Sequence, residues 1–389
     1  MDSIRKLYKI GYGPSSSHTM GPHLAAKRFL TQNPTADHFK VDLYGSLALT
    51  GRGHLTDYII KKTLGNDTEI IFDINTTYDY HPNGMKFYAY KDNKLINEWL
   101  VFSVGGGSLR ELNEKRRVGK ENIYPHSYMN EILTYCKENN LKLNDYVTKY
   151  DNQYQYLEKV LDTMISTIDK GLYEKGILPG RMKVERKAND FLLAYNKDNS
   201  FSNLLYASAL ATAEENASGN IVVTSPTCGS SGILPSVLYS FMKTHNISRE
   251  ELIEALKIAG LIGNLVKYNA SISGAEVGCQ GEVGTACAMA SGAASYLFGA
   301  TNEQIEYAAE IALEHHLGLT CDPVDGLVQI PCIERNALAA SMAIDSANYA
   351  IHTDGIHKIS FDYVVEVMKE TGKDLSTKYK ETSTGGLAK

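Results

Sequence analysis

Three cysteines in the second half of the chain sit in settings that an ordinary core cysteine does not need. Cys279 lies in Ile272-Ser273-Gly274-Ala275-Glu276-Val277-Gly278-Cys279-Gln280-Gly281-Glu282-Val283-Gly284, which carries more glycines and carboxylates than a core helix tolerates well. Glycine beside a cysteine costs helix stability and lets backbone approach a bulky group closely. Cys321 follows in Leu319-Thr320-Cys321-Asp322-Pro323, and Cys332 in Gln329-Ile330-Pro331-Cys332-Ile333-Glu334-Arg335-Asn336. The three are 42 and 11 positions apart, without the C-x-x-C pairs of a zinc ribbon or a ferredoxin-type cluster. Glu314-His315-His316 is not H-E-x-x-H, which excludes the zincin pattern. Three separated thiolates suit a [4Fe–4S] cluster with one iron left open, a Lewis acid able to polarise a hydroxyl or carboxylate. Three structural cysteines buried in a core would show the same spacing, and on spacing alone that is the reading to prefer.

Two loops in the first half carry the other candidate groups. Gly13-Pro14-Ser15-Ser16-Ser17-His18-Thr19-Met20-Gly21-Pro22 is a hydroxyl-rich loop entering a helix start. Its N–H groups and hydroxyls suit an anion such as a substrate carboxylate, making Ser15, Ser16, Ser17 and Thr19 candidate binders with His18 among them. The alternative is a plain serine-rich capping loop. Tyr44 to Asp57 follows an expected strand and holds His54 between glycines and a helix start. A histidine at a strand-to-helix turn is well placed as a general base, since its ordinary pKa lies near working pH. Asp57 either orients that imidazole or caps the helix. A lone histidine is also commonly structural.

Other glycine-rich stretches carry less. Gly105-Gly106-Gly107 lacks both the G-x-G-x-x-G order and the Lys-Ser/Thr of a P-loop, and reads as a tight turn. Pro226 to Gly232 is like a phosphate cup without a cofactor lysine, and Lys378 lies in a charged tail. No pyridoxal phosphate site is therefore expected.

The elements that would position these groups fall into two parts. The expected fold is multidomain α+β: an N-terminal α/β domain over 1–148, then an all-α catalytic domain over 149–389. Strands are expected at Phe39 to Tyr44 and Thr68 to Ile74 around a helix from Leu55 to Leu64. Met85 to Tyr90 and Leu95 to Val104 alternate about Lys91-Asp92-Asn93-Lys94 as a hairpin. Pro22 marks a helix start, and a linker is expected near 140–155. Ser248-Arg249-Glu250-Glu251 and Thr301-Asn302-Glu303-Gln304 are capping boxes. Helices are expected to close at Gly219 and Gly372.

Bulk properties narrow the class. A net charge of −6 without a basic stripe argues against nucleic acid as partner. No apolar run reaches membrane-span length, and the first residues lack a signal-peptide core. Six cysteines in 389 residues are too few for a disulfide scaffold, so a reduced cytoplasmic enzyme is expected.

Taken together, these motifs resemble the iron–sulfur-dependent L-serine dehydratase (L-serine ammonia-lyase) family over nearly the whole chain. Gly13 to Gly21, Gly45 to Asp57, His81-Pro82-Asn83 and Ser103 to Gly107 match its β-type part. Glu214-Glu215-Asn216, Pro226 to Gly232, Ser271 to Gly284 and Leu317 to Asn336 match its α-type part. The resemblance implies a [4Fe–4S] cluster on Cys279, Cys321 and Cys332, with L-serine bound at the open iron and dehydrated to pyruvate and ammonia. It further implies that His54 removes the α-proton, that Ser15, Ser16, Ser17 and His18 hold the carboxylate, and that Thr227 lies near the amine. Homodimerisation is a family expectation. Two features depart from the pattern. The Glu381 to Ala388 phrase stops at Lys389 without the tail cysteine of some members, which implies a resting open iron. Cys228 replaces a common asparagine, as an extra ligand or a neutral change. Cys287, about two turns past Cys279, reads as core.

Overall fold

Alternation of apolar and polar residues along 38–44 builds the first element of a sheet that anchors the N-terminal part. The computed structural model describes residues 1–104, 106–112, 122–382 and 384–388; Gly105 of the triple-glycine turn lies outside them. In chain order come β1 (Ile10–Tyr12), α1 (Gly21–Gln32), β2 (His38–Tyr44), α2 (Ser46–Thr50), α3 (Thr56–Leu64) and β3 (Glu69–Asp73). β4 (Gly84–Lys91), β5 (Lys94–Ser103) and β6 (Leu109–Glu111) follow. They form a five-stranded sheet in the order β3-β2-β4-β5-β6. β2 and β3 run parallel because α3 carries the chain across between them, and every other neighbour is antiparallel. The β4–β5 hairpin turns on Asp92 and Asn93, both left-handed, as a two-residue turn of this hand requires. One sheet face buries Phe39, Val41, Leu43 and Phe87 under Ala25, Ala26 and Phe29 of α1 and Ile59 and Ile60 of α3. Each large side chain buried this way stabilises the layer by about 1.5–3 kcal/mol.

The C-terminal part is helical: α4 (Met129–Asn139), α5 (Leu143–Tyr150), α6 (Tyr154–Gly171), α7 (Ala188–Asp198) and α8 (Phe201–Ala217), then, after β7 (Ile221–Val223), α9 (Ile233–Thr244) and α10 (Arg249–Asn269). α11 (Gly274–Val277), α12 (Thr285–Leu297), α13 (Asn302–Glu314), α14 (Cys332–Ile351) and α15 (Phe361–Asp374) complete it. Both expected capping boxes are formed, at Ser248 with Glu251 and at Thr301 with Gln304. α12 runs through the middle and packs on α9, α10, α13 and α14. Its residues from Thr285 to Ser295 are all buried, and their small size lets the neighbours close around it. No helix among the described residues is long and apolar enough to cross a membrane.

Three local expectations are corrected. The stretch expected as a linker, 140–155, is mostly α5 and the start of α6, and Leu143, Tyr146 and Val147 are fully buried in the helical core. Charge and tyrosine content masked an amphipathic helix there. Gly372 does not stop α15, which runs on to Asp374. A Cβ at Gly372 would lie 2.6 Å from Val277 Cγ1 and 3.0 Å from its Cα, so this glycine serves close packing onto α11. The helical part also contributes a strand, since β7 pairs antiparallel with β1.

The first eight residues belong to the helical core. Met1, Ile4, Leu7 and Tyr8 are buried in it. Tyr8 Oη donates to Leu256 O (2.8 Å), and Thr224 Oγ1 donates to Leu7 O (2.6 Å). Asp151 accepts from Ser3 Oγ (2.9 Å), Ile4 N–H (2.7 Å) and Tyr124 Oη (3.1 Å), which satisfies a carboxylate that is 3% exposed. This strap and the β1–β7 pair bring the loop at 13–20 against the helical part.

Candidate active site

Loops from both parts enclose a cavity of about 40 Å³. Ser15, Ser16, Ser17 and His54 line it from the N-terminal side; Thr227, Cys279, Glu282, Cys321, Cys332 and Glu381 line it from the helical side.

The serine loop is shaped by its own hydroxyls. Ser15 is in extended backbone, and its Oγ accepts from His18 N–H (3.1 Å), capping a π-helical turn, Ser16–Met20, that runs straight into α1. Ser17 Oγ and Ser46 Oγ bond the two ring nitrogens of His18 at 2.8 and 3.0 Å. Ser46 is itself fixed, since its N–H donates to Pro82 O (3.0 Å). His18 is thus fully engaged and fully buried, behind the cavity wall rather than in it. Thr19 also stands behind the wall: its Oγ1 accepts from Ser15 N–H (3.1 Å) and donates to His54 O (2.7 Å), tying the two loops together.

His54 is different. It is 1% exposed, and among the described residues neither ring nitrogen has a hydrogen-bond partner. Burial pushes its pKa down to about 4, so the ring is a neutral imidazole at neutral pH. It lies 4.6 Å from the His18 ring, centroid to centroid. Leu55, the next residue, has φ +56°, a conformation that costs an ordinary side chain about 1–3 kcal/mol and persists where surrounding structure fixes it. Of the two roles open to Asp57, orienting the imidazole is not the one found among the described residues. Asp57 accepts from Tyr58 N–H (2.9 Å) in the first turn of α3.

The cysteines converge. The sulfurs of Cys279 and Cys321 and a carboxylate oxygen of Glu282 all lie within 4.8 Å of one another. Cys332 opens α14 on the same cavity. Gly278, at φ +78°, lets the chain turn into Cys279 where a Cβ would lie 2.7 Å from Leu319 O. The neighbouring Cys279 and burial push the Cys321 thiol up; burial and Cys279 do the same to Cys332. Arg335, one turn along α14 from Cys332, is the cation of the group. Burial works against its charge, but Cys279 and Cys332 outweigh it and raise its pKa. Its Nη1 donates to Thr320 O (2.8 Å). Three thiols lining one cavity beside a guanidinium are a soft donor set, suited to iron–sulfur ligation and unsuited to magnesium or calcium.

Glu282, Glu381, Arg335 and Ser46 were not singled out by sequence reasoning. Glu282 carried a signal, lying one helical turn after Cys279 in the same glycine-rich phrase. Glu381 carried none, because only the fold brings it in. Cys321 N–H donates to Tyr379 O (2.8 Å), and Glu381 N–H donates to Cys321 O (2.7 Å), so the C-terminal segment lies along the Cys321 loop. Burial, with Glu282 adding, pushes the Glu381 carboxyl up to about 8. Thr227 Oγ1 lies 3.1 Å from Ser230 Oγ at the rim. Cys228 packs with Met20 and Val222 and is not among the lining residues. Cys287 is core, its Sγ donating to Ala339 O (3.2 Å).

Comparison with known proteins agrees with this layout. The family described as serine dehydratase alpha chain matches residues 109–388, and the one described as serine dehydratase beta chain matches residues 3–65. L-serine dehydratase 2 of Escherichia coli (strain K12) is 39% identical over 448 aligned residues, covering 100% of this chain and 98% of that protein. The L-serine dehydratase of Streptomyces coelicolor is 38% identical, over 99% of this chain and 98% of its own. That of Haemophilus influenzae is 38% identical, over 100% and 99%. With the beta-type region at its N-terminus and the alpha-type region after it, this chain belongs to the serine dehydratase family.

Proposed function

We propose that the protein is an L-serine dehydratase that converts L-serine to pyruvate and ammonia, with a [4Fe–4S] cluster held by Cys279, Cys321 and Cys332. The relatives support the substrate, and the convergence of thiols supports the cofactor. When bound, such a cluster supplies a Lewis-acidic iron that weakens the bond to the substrate's hydroxyl. The remaining work falls to the chain.

One observation carries the reading. His54 is a buried neutral imidazole with no hydrogen-bond partner among the described residues, set in the wall that also holds the three cysteines. A neutral ring can accept the α-proton of serine, and its electron pair is not already committed to another donor. As the Cα–H bond breaks, its electrons form the Cα=Cβ bond, the Cβ–O bond breaks, and the hydroxyl departs, leaving as water overall. The aminoacrylate then tautomerises and is hydrolysed to pyruvate and ammonia without the protein. Ser15, Ser16 and Ser17 hold the carboxylate at the start of a helix, where N–H groups and the helix dipole favour an anion. Thr227, on the opposite wall, lies near the amine. His18 and Thr19 act on His54 rather than on substrate, the first by packing against its ring and the second through its carbonyl. In this reading residues 1–148 bind substrate and residues 149–389 hold the cluster. A thiolate-held cluster also suits a reducing cytoplasm, where we place the enzyme as a homodimer.

The test is pyruvate formation from L-serine by anaerobically reconstituted protein. His54→Ala should lower turnover by about 10²–10⁴-fold while iron content and visible absorbance stay intact. Cys321→Ser should lose both. Full turnover by His54→Ala would assign the base elsewhere, and iron-loaded wild type that makes no pyruvate would end the dehydratase reading.

A further inference from the structure

The end of α8 borders both N-terminal loops that face the cavity. Asn216, in its last turn, is buried, and its Nδ2 donates to Pro14 O (3.0 Å) across 202 positions of chain. Pro14 and Ser15 line the cavity; Asn216 stands behind them. One residue earlier the fit is tighter still. A Cβ at Gly13 would lie 2.6 Å from Asn216 O and would collide with Asn216 Oδ1, so the loop lies this near the helix because residue 13 is glycine. Oδ1 faces that Cα and has no hydrogen-bond partner among the described residues. Gly13 N–H donates to Asn220 O (2.9 Å), a second bond from the loop to the same corner.

The corner is itself anchored on the helical side. Asn220 Nδ2 donates to Glu215 Oε2 (2.9 Å), and the buried Glu215 pairs with Lys170 (2.7 Å) and Arg186 (2.9 Å). Charge-assisted bonds of this kind are short and hold geometry well. Gly219 carries the corner to the second loop, since a Cβ on it would lie 2.8 Å from Leu55 Cδ1, next in sequence to His54. Helix stability does not call for an asparagine at 216. Leucine or alanine forms helix better, and burying an amide costs stability unless its polar groups are used. What the asparagine adds is a donor aimed at Pro14 O.

We propose that Asn216 is a positioning residue for substrate binding: by holding Pro14 O it sets where Ser15, Ser16 and Ser17 stand relative to the cysteine wall. This rests on the reading of that loop as the carboxylate site. Contacts to a carboxylate serve substrate and transition state alike, so a displaced loop raises KM and spares kcat. The test compares Asn216→Ala and Asn216→Leu with wild type as anaerobic, iron-loaded protein. Leucine nearly keeps the side-chain volume and has no donor. Both variants should raise KM for L-serine about ten-fold, as befits one lost buried hydrogen bond, with kcat within about two-fold and iron content unchanged. A role confined to stability would instead lower kcat in step with the folded, iron-loaded fraction and leave KM alone. Hydrogen exchange supplies a reading that needs no turnover. The amides of His18, Thr19 and Met20 all donate back to Ser15, and they should exchange faster in both variants while α9 and α10 keep wild-type rates. Wild-type KM in both variants, or unchanged exchange at these amides, would overturn the proposal. A wild type that makes no pyruvate would end the dehydratase reading, and exchange would then decide whether Asn216 positions the loop.

Discussion

Removing the His54 ionisation should flatten the acid side of the protein's stability profile by a calculable amount. Burial lowers this histidine from 6.5 to about 4. An unfolded chain therefore takes up a proton below pH 6.5 that the folded protein refuses until about pH 4. The unfolded state binds more protons across that window, so stability rises with pH within it, is complete above 6.5, and is lost toward 4. The slope for one such group approaches about 1.4 kcal/mol per pH unit, and the whole window amounts to about 3 kcal/mol. His18 lies well below its ordinary value for the same reason, burial, with the charge of His54 adding. Wild type should thus show a steep acid limb and His54→Gln a shallower one. Urea unfolding followed by circular dichroism, at several pH values between about 5 and 7.5, measures the difference in slope. Any pH-independent cost of the substitution cancels in that comparison. Parallel limbs for the two proteins would refute the reasoning, because they would mean that the ring is solvated and ionises like a free histidine. Activity offers a second reading: kcat/KM should carry no ionisation from this residue near pH 6.5.

Gly372→Ala should destabilise by about 1–3 kcal/mol, seen as a lower thermal midpoint in calorimetry, because the new methyl meets both side chain and backbone of Val277. Cys332→Ser should lower iron content and visible absorbance after reconstitution, whereas Cys136→Ser, deep in the helical core, should leave both unchanged. Arg335→Gln should raise the Cys332 thiol further and leave less thiolate, slowing its alkylation in metal-free protein by about ten-fold, while Arg335→Lys keeps most of the rate.

Local rules read much of this molecule directly. The hairpin about Asp92-Asn93, both capping boxes and the strand at β2 each depend on neighbours in sequence, and each formed where its residues called for it. The three cysteines could be picked out by their odd settings, and they do line one cavity. What stayed hidden depends on distant contact. Glu381 reaches the cavity because a backbone pair at Cys321 holds it there, 60 positions away in the chain. Thr19 reads as one more hydroxyl for an anion, yet its Oγ1 is spent on His54 O. Gly372 has the composition of a helix stop and the surroundings of a packing contact. A glycine's role is set by what lies opposite, which a single sequence does not contain.

The strap formed by the first eight residues bears on how the chain is made. Ribosomal synthesis releases Met1 to Tyr8 well before their partners, since Tyr8 bonds to Leu256 and Asp2 to Asn264, about 250 positions later. Closing so long a loop costs little more than closing a short one, since the entropy grows only with the logarithm of length. The delay is kinetic: these apolar side chains remain without their partners until the helices that bury them have emerged. The helical core cannot finish until this segment returns to it. Translation order and assembly order therefore run in opposite directions at this seam.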